Sequence, residues 1–213
     1  MVTEIPQPST LALRSVSVVV TAESHNPSIL NPDFLTAKGI VPDKWQAIEI
    51  LTTQTFSLIR YSNGINWLVE PSRLMVAEDA GPELRDSYNI HQLVKTYLNV
   101  LPNVPYRSLG LNFQLAITEP HPRLRLKKRF GANWMSNEEW ILEMTPSFKL
   151  KTEGAVCLIN ISPVVLQNSS EIRLDCNVHH ENLSNSGELC DAIAKWSDRQ
   201  AFVCSAITKL FEI

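Results

Sequence analysis

Tyr106-Arg107-Ser108-Leu109-Gly110-Leu111-Asn112-Phe113-Gln114-Leu115-Ala116-Ile117-Thr118 places an apolar side chain at every odd position from 109 to 117. Successive side chains of a strand point to opposite faces, so this period of two predicts a half-buried β-strand. Upstream, Arg60-Tyr61-Ser62-Asn63-Gly64-Ile65-Asn66-Trp67 sets Asn-Gly between two strand-like runs, the strongest short-range signal for a tight hairpin turn. The chain is therefore expected to be built on an antiparallel sheet.

The rest of the sequence extends that sheet and adds helices. Leu13 to Ala22 reads as a first strand, with Val16, Val18 and Val20 on one face and Ser15 and Ser17 on the other. Asn26-Pro27 and Asn31-Pro32 break it, and Pro32 to Trp45 reads as short helical turns or a compact loop over one sheet edge. Ala47–Arg60 and Ile65–Glu78 flank Asn63-Gly64 as a hairpin, in which Pro71 implies an edge position or a bulge. From Asn89, the residues Ile90, Leu93, Val94, Tyr97, Leu98 and Leu101 recur at helical spacing until Pro102 stops them. After Trp134 a meander follows over Trp140–Lys151, Ala155–Leu166 and Ile172–His179, with turns at Glu153-Gly154 and Asn168-Ser169. Pro146 and Pro163 interrupt it, so bulged, curved strands are expected. Leu189, Ile193, Trp196, Val203, Ile207 and Leu210 then form one apolar stripe, read as a single helix of about seven turns.

The expected fold class is α+β: a large curved antiparallel sheet of about seven strands, with a mid-chain helix and a long C-terminal helix packed on it. Residues 1–213 are read as a single domain, and its halves 1–104 and 105–213 each offer a sheet with a closing helix. A chain of 213 residues buries roughly 70% of its unfolded surface without disulfides or metals. With 44% apolar and 19% charged residues and a formal net charge of −3, it lacks the bias of a nucleic-acid-coating or membrane protein.

Met1 to Pro8 carry no basic region followed by an apolar core, and no apolar run approaches the roughly 20 residues of a membrane span. The expected location is the cytoplasm, with no membrane partner. Cys157, Cys176, Cys190 and Cys204 are widely spaced, without a Cys-x-x-Cys pair or histidines at zinc spacing. They read as reduced, mostly buried thiols, and no metal or cofactor is expected.

The run Tyr106-Arg107-Ser108-Leu109-Gly110-Leu111-Asn112-Phe113 after a helix, and the C-terminal run Phe202-Val203-Cys204-Ser205-Ala206-Ile207-Thr208-Lys209-Leu210, resemble a sporadically distributed family of uncharacterised bacterial proteins. Order and spacing are similar along the chain, although Asn26-Pro27 after the first strand departs from the pattern. The family has no assigned activity, so the resemblance implies a bacterial origin and no site residues.

The densest charge lies in His121-Pro122-Arg123-Leu124-Arg125-Leu126-Lys127-Lys128-Arg129-Phe130, which holds five of the nineteen basic residues. Without those five, 14 basic residues face 22 acidic ones, so the segment is a candidate contact for phosphates or an acidic partner. Phe130 and Trp134 are candidates to stack on exposed bases. The plain alternative is a solvated strand extension with Leu124 and Leu126 inward and Arg123, Arg125 and Lys127 outward.

His179-His180-Glu181 is a dense ligand-type cluster, but neighbouring strand residues face opposite ways, so it reads as a polar strand end. His25, His91 and His121 are isolated, Glu78-Asp79 and Glu138-Glu139 are adjacent acids without a reason to converge, and no nucleophile elbow or phosphate loop is present. No catalytic residue is assigned.

Three functions compete. The first is a non-enzymatic binding or assembly module that uses sheet edges to hold a protein partner or a second copy in a homo-oligomer. The second is a nucleic-acid-associated or effector-regulating protein acting through 123–129. The third is a small-molecule binder of helix-grip type, with its pocket between the sheet and the C-terminal helix.

Overall fold

A computed structural model describes residues 11–79, 89–132, 143–166 and 169–213. The first half contains β1 (Leu11–Ala22), a 3-10 turn (Pro27–Ile29), α1 (Pro32–Ala37), β2 (Ala47–Thr52), β3 (Ser57–Tyr61), β4 (Ile65–Glu70), β5 (Arg73–Asp79) and α2 (Ile90–Val100). The second half contains β6 (Tyr106–Thr118), α3 (Pro122–Phe130), β7 (Ser147–Thr152), β8 (Ala155–Leu166), β9 (Ser169–His180), α4 (Ser186–Ala194) and α5 (Trp196–Phe211). The class is α+β. Among the described residues, nine strands form one antiparallel sheet in the order β2-β3-β4-β5-β1-β6-β9-β8-β7, and it does not close into a barrel.

The period of two in the sequence is the period of burial. Val16, Val18 and Val20 of β1, Leu109, Leu111, Phe113, Leu115 and Ile117 of β6, and Ile172, Leu174, Cys176 and Val178 of β9 are all buried. One row of paired residues crosses every strand: Ile50, Ile59, Trp67, Val76, Val18, Leu111, Val178, Cys157 and Leu150. Helices supply the second layer of this core through Ile90, Val94, Tyr97 and Leu98 of α2, Leu189 and Ile193 of α4, and Trp196, Val203 and Ile207 of α5. Each half runs one long strand, a helical connection, a meander returning to that strand, and a helix. β1 and β6 then pair side by side, so both halves share one sheet and one core.

Several expectations are corrected. The sheet has nine strands instead of about seven, because Ala47–Arg60 and Ile65–Glu78 each hold two strands. Thr53 N–H donates to Phe56 O (2.7 Å) to close a turn that no glycine, proline, asparagine or aspartate marks. Pro71 sits in the turn between β4 and β5, where Glu70 pairs with Arg73, and not inside a strand. Pro163 lies within β8 beyond the last β7 pair at Asn160, so its missing donor falls on the side where β8 has no ladder partner among the described residues. The register shifts lie elsewhere, at Leu13/Ser15, Thr21/Ala22 and Ala47/Glu49. At the Asn63-Gly64 turn, Gly64 takes the left-handed φ of 88° that favours glycine.

The C-terminal helix is two helices, not one. α4 ends at Ala194 and α5 starts at Trp196, with the Lys195 N–H turning back to Ala192 O and Ile193 O. The break seats Trp196 against Phe113 (centroids 4.7 Å apart) and stacks it on His91 (5.4 Å, 10° between planes).

Candidate functional site

The basic segment 123–129 is helix α3 and not a strand extension. Pro122 sits at its first turn, where a missing N–H costs nothing. Leu126 and Phe130, four residues apart, mark its inner side: Leu126 is fully buried, and Phe130 packs on Phe148 and Phe211 (5.4 Å each). Phe130 is thus half-buried and packs against the core with its ring engaged by two other phenylalanines, whereas Leu124 is exposed. Trp134 lies outside the described residues.

The arginines of α3 are tied to carboxylates of their own chain. Arg123 pairs with Glu143 (3.6 Å), Arg125 with Glu119 (2.8 Å) and Arg129 with Glu212 (2.8 Å). Arg129 also donates from Nε to Leu210 O, and Arg125 lies over the Phe211 ring. Lys127 and Lys128 have no ion pair among the described residues, and as cations in the last helical turn they favour the helix dipole. A cleft of about 450 Å³ beside α3 is lined by Glu119, His121, Leu124, Arg125, Lys128 and Arg129.

The sheet edges present a different chemistry. Among the described residues β2 and β7 each pair on one side only. On β7, half-buried Phe148 and Leu150 alternate with exposed Lys149 and Lys151, and lysines are a standard guard against edge-to-edge pairing. β2 has no such guard. Ile48, Ile50 and Leu51 are 65%, 55% and 49% exposed, and its charged side chain, Glu49, is neutralised by Arg60 at 2.9 Å. The alternation of Ala47–Thr52 reads as core in the sequence, and only the strand order reveals that, among the described residues, no strand continues the row beyond Ile50.

Most of the histidines and cysteines elsewhere are buried or half-buried. His179 is half-exposed and His180 is buried, on opposite faces of the end of β9. Burial, with Arg199 nearby, pushes the His180 pKa down to about 4. Arg199, itself buried, donates to Thr152 Oγ1 (2.8 Å) and Glu153 O (2.5 Å), which fastens α5 to the β7–β8 turn. Burial also lowers the pKa of His25 and of His91, the latter with help from Lys95. All four cysteines are free. Burial raises each thiol, Cys157 to about 11, which keeps them protonated and poorly nucleophilic.

Among the described residues, no group of three or more histidine, cysteine, aspartate or glutamate side chains is placed to hold a metal ion, and no helix is long and apolar enough to cross a membrane. Neither a protein-family model nor a curated protein matches this chain.

Proposed function

We propose that this protein is a non-enzymatic cytoplasmic assembly module that joins a second copy of itself by strand addition at β2. The observation that carries the reading is the unguarded edge, with Ile48, Ile50 and Leu51 exposed beside backbone groups that have no strand partner among the described residues. A second copy suits it because an antiparallel two-fold contact sets the same strand against itself. Directly opposed side chains share a face. A two-fold centred on Ile50 sets Ile50 against its counterpart and continues the core-side row of Ile59 and Trp67. A centre at Leu51 instead continues the Leu58–Leu68–Met75 row of the other face. A centre at Glu49 opposes two carboxylates and is disfavoured.

Solution mass tests this directly. The purified chain should sediment as a dimer at micromolar concentration, and Ile50→Lys should sediment as a monomer that melts as the parent does. A monomeric parent chain at every concentration would falsify the reading. The competing nucleic-acid reading retains only Lys127 and Lys128 as cations without an ion pair among the described residues of α3.

A further inference from the structure

The sheet face turned away from the helices is polar where the strands are most central. One row runs Ser17, Asn112, Asn177 across β1, β6 and β9, and the next runs Ser15, Gln114, Asp175, Asn160 as far as β8. Asparagine and aspartate are depleted in strands, since they cover a pleated surface poorly. Residues that break a local preference in this way concentrate at functional sites.

These side chains are held in place by one another. Asn177 Nδ2 donates to Asn112 Oδ1 (2.5 Å), Asn112 Nδ2 donates to Ser17 Oγ (3.1 Å), and Gln114 Nε2 donates to Asp175 Oδ1 (2.8 Å). Asn160 Oδ1 accepts from Ser147 Oγ (2.8 Å). Gly110 makes room for the arrangement: a Cβ there would come within 3.0 Å of Asn177 Nδ2. A glycine inside a central strand weakens it and marks a close approach, in this case that of the Asn177 amide.

The two rows bound a depression of about 260 Å³, smaller than the roughly 300–1,000 Å³ of pockets that take drug-sized ligands. Asp175 and Asn160 are directly paired. The bonds above engage one oxygen of each, which leaves the second carboxylate oxygen as an acceptor beside an amide NH₂ donor. A hydroxyl donates and accepts at once, so two neighbouring hydroxyls satisfy this pair, whereas an anion meets the Asp175 charge and an apolar group strands both partners. We propose that the depression binds a neutral, multiply hydroxylated ligand of monosaccharide size, gripped by Asp175 and Asn160 and oriented by the Asn177–Asn112–Ser17 chain.

Ligand-observed NMR and calorimetric titration of the full chain with glucose, galactose, ribose and myo-inositol test it. At least one should bind saturably at millimolar concentration. Asp175→Ala and Asn160→Ala should each weaken it about tenfold or more, the scale of a lost hydrogen bond in a site of this kind. Gly110→Ala, which touches no ligand atom, should weaken it as well by displacing Asn177. Should Asp175→Ala fail to fold, Asn160→Ala and Gly110→Ala decide the matter. No saturable binding of any of the four compounds, or unchanged affinity in the folded variants, overturns the proposal.

Discussion

Strand β7 ends the sheet with Lys149 and Lys151 standing out between half-buried Phe148 and Leu150, while β2 ends it with exposed Ile48, Ile50 and Leu51 and a glutamate neutralised by Arg60. Their backbones pose the same problem, a row of N–H and C=O groups without a strand partner among the described residues. The difference lies in what backs each strand. β7 lies over Phe130 and is fastened to α5 through the Arg199 contacts at Thr152 and Glu153, so its inner side chains have a helical layer to pack on. In the row that crosses the sheet, Leu150 at that end is half-buried and Ile50 at the other is 55% exposed. Lysines along an edge strand disfavour the addition of a further strand, and an exposed apolar edge lacks that protection.

The steepest way to break the comparison is to remove the layer behind the β7 half. Trp196→Ala deletes a buried ring packed between Phe113 and His91 and should cost about 3–5 kcal/mol, the usual loss for truncating a large buried aromatic. Chemical denaturation measures it. A loss below about 1 kcal/mol would mean that α5 does not close the core.

Acid should act on the same half. The folded-state pKa of His180 is lowered to about 4 from 6.5, so the unfolded chain takes up a proton first as the pH falls. The associated stability is full above pH 6.5 and drains between 6.5 and about 4, on the order of 3 kcal/mol in total. His25 and His91, whose pKa values are also lowered, add to the slope in the same direction. The charged and titratable neighbours of His180 are Arg199, Lys195 and His179, all of which resist its protonation. Melting curves of His180→Phe should flatten in this window, and an undiminished slope would assign the effect to the other two histidines.

Sharpening the comparison means exchanging the edges. Ile50→Lys gives β2 the guard that β7 has and should weaken self-association at least about tenfold, while stability shifts by no more than about 0.5 kcal/mol. Lys149→Ile removes the guard from β7 and should raise the association state above that of the parent chain. If Ile50→Lys leaves the mass unchanged, β2 is not the contact.

What the sequence disclosed and what it hid follow from the range of the forces involved. β1 and β6 were legible because a face-to-face alternation is written residue by residue, and the Gly64 turn because its backbone angle selects the residue type. The turn at Thr53–Phe56 carries no residue of that kind and passes as continuous strand. In α3, Leu124 and Leu126 mimic a strand period, although Pro122 followed by Leu126 and Phe130 at four-residue spacing is the helical signal. The break at Lys195 has no local mark either, since it serves the seating of Trp196 against β6 and α2. The β2 edge was hidden for the same reason. Exposure of Ile48 and Ile50 is decided by which strand ends the sheet, a fact no window of sequence contains.

The smallest expected effect concerns α3, where charge density in the sequence pointed to a partner and the structure shows the arginines occupied. Lys127→Glu with Lys128→Glu should change stability by no more than about 0.5 kcal/mol, because exposed charges contribute little to folding. If the helix contacts phosphates through these two lysines, retention of the parent chain on single-stranded DNA should fall with salt at a slope near two counterions, and the double variant should lose it. Retention that survives the double substitution rules α3 out as the contact. Absence of any retention by the parent chain at low salt leaves Arg123, Arg125 and Arg129 as what their partners Glu143, Glu119 and Glu212 make them: clasps that hold a short helix to its own chain, of a piece with the guarded β7 half to which α3 belongs.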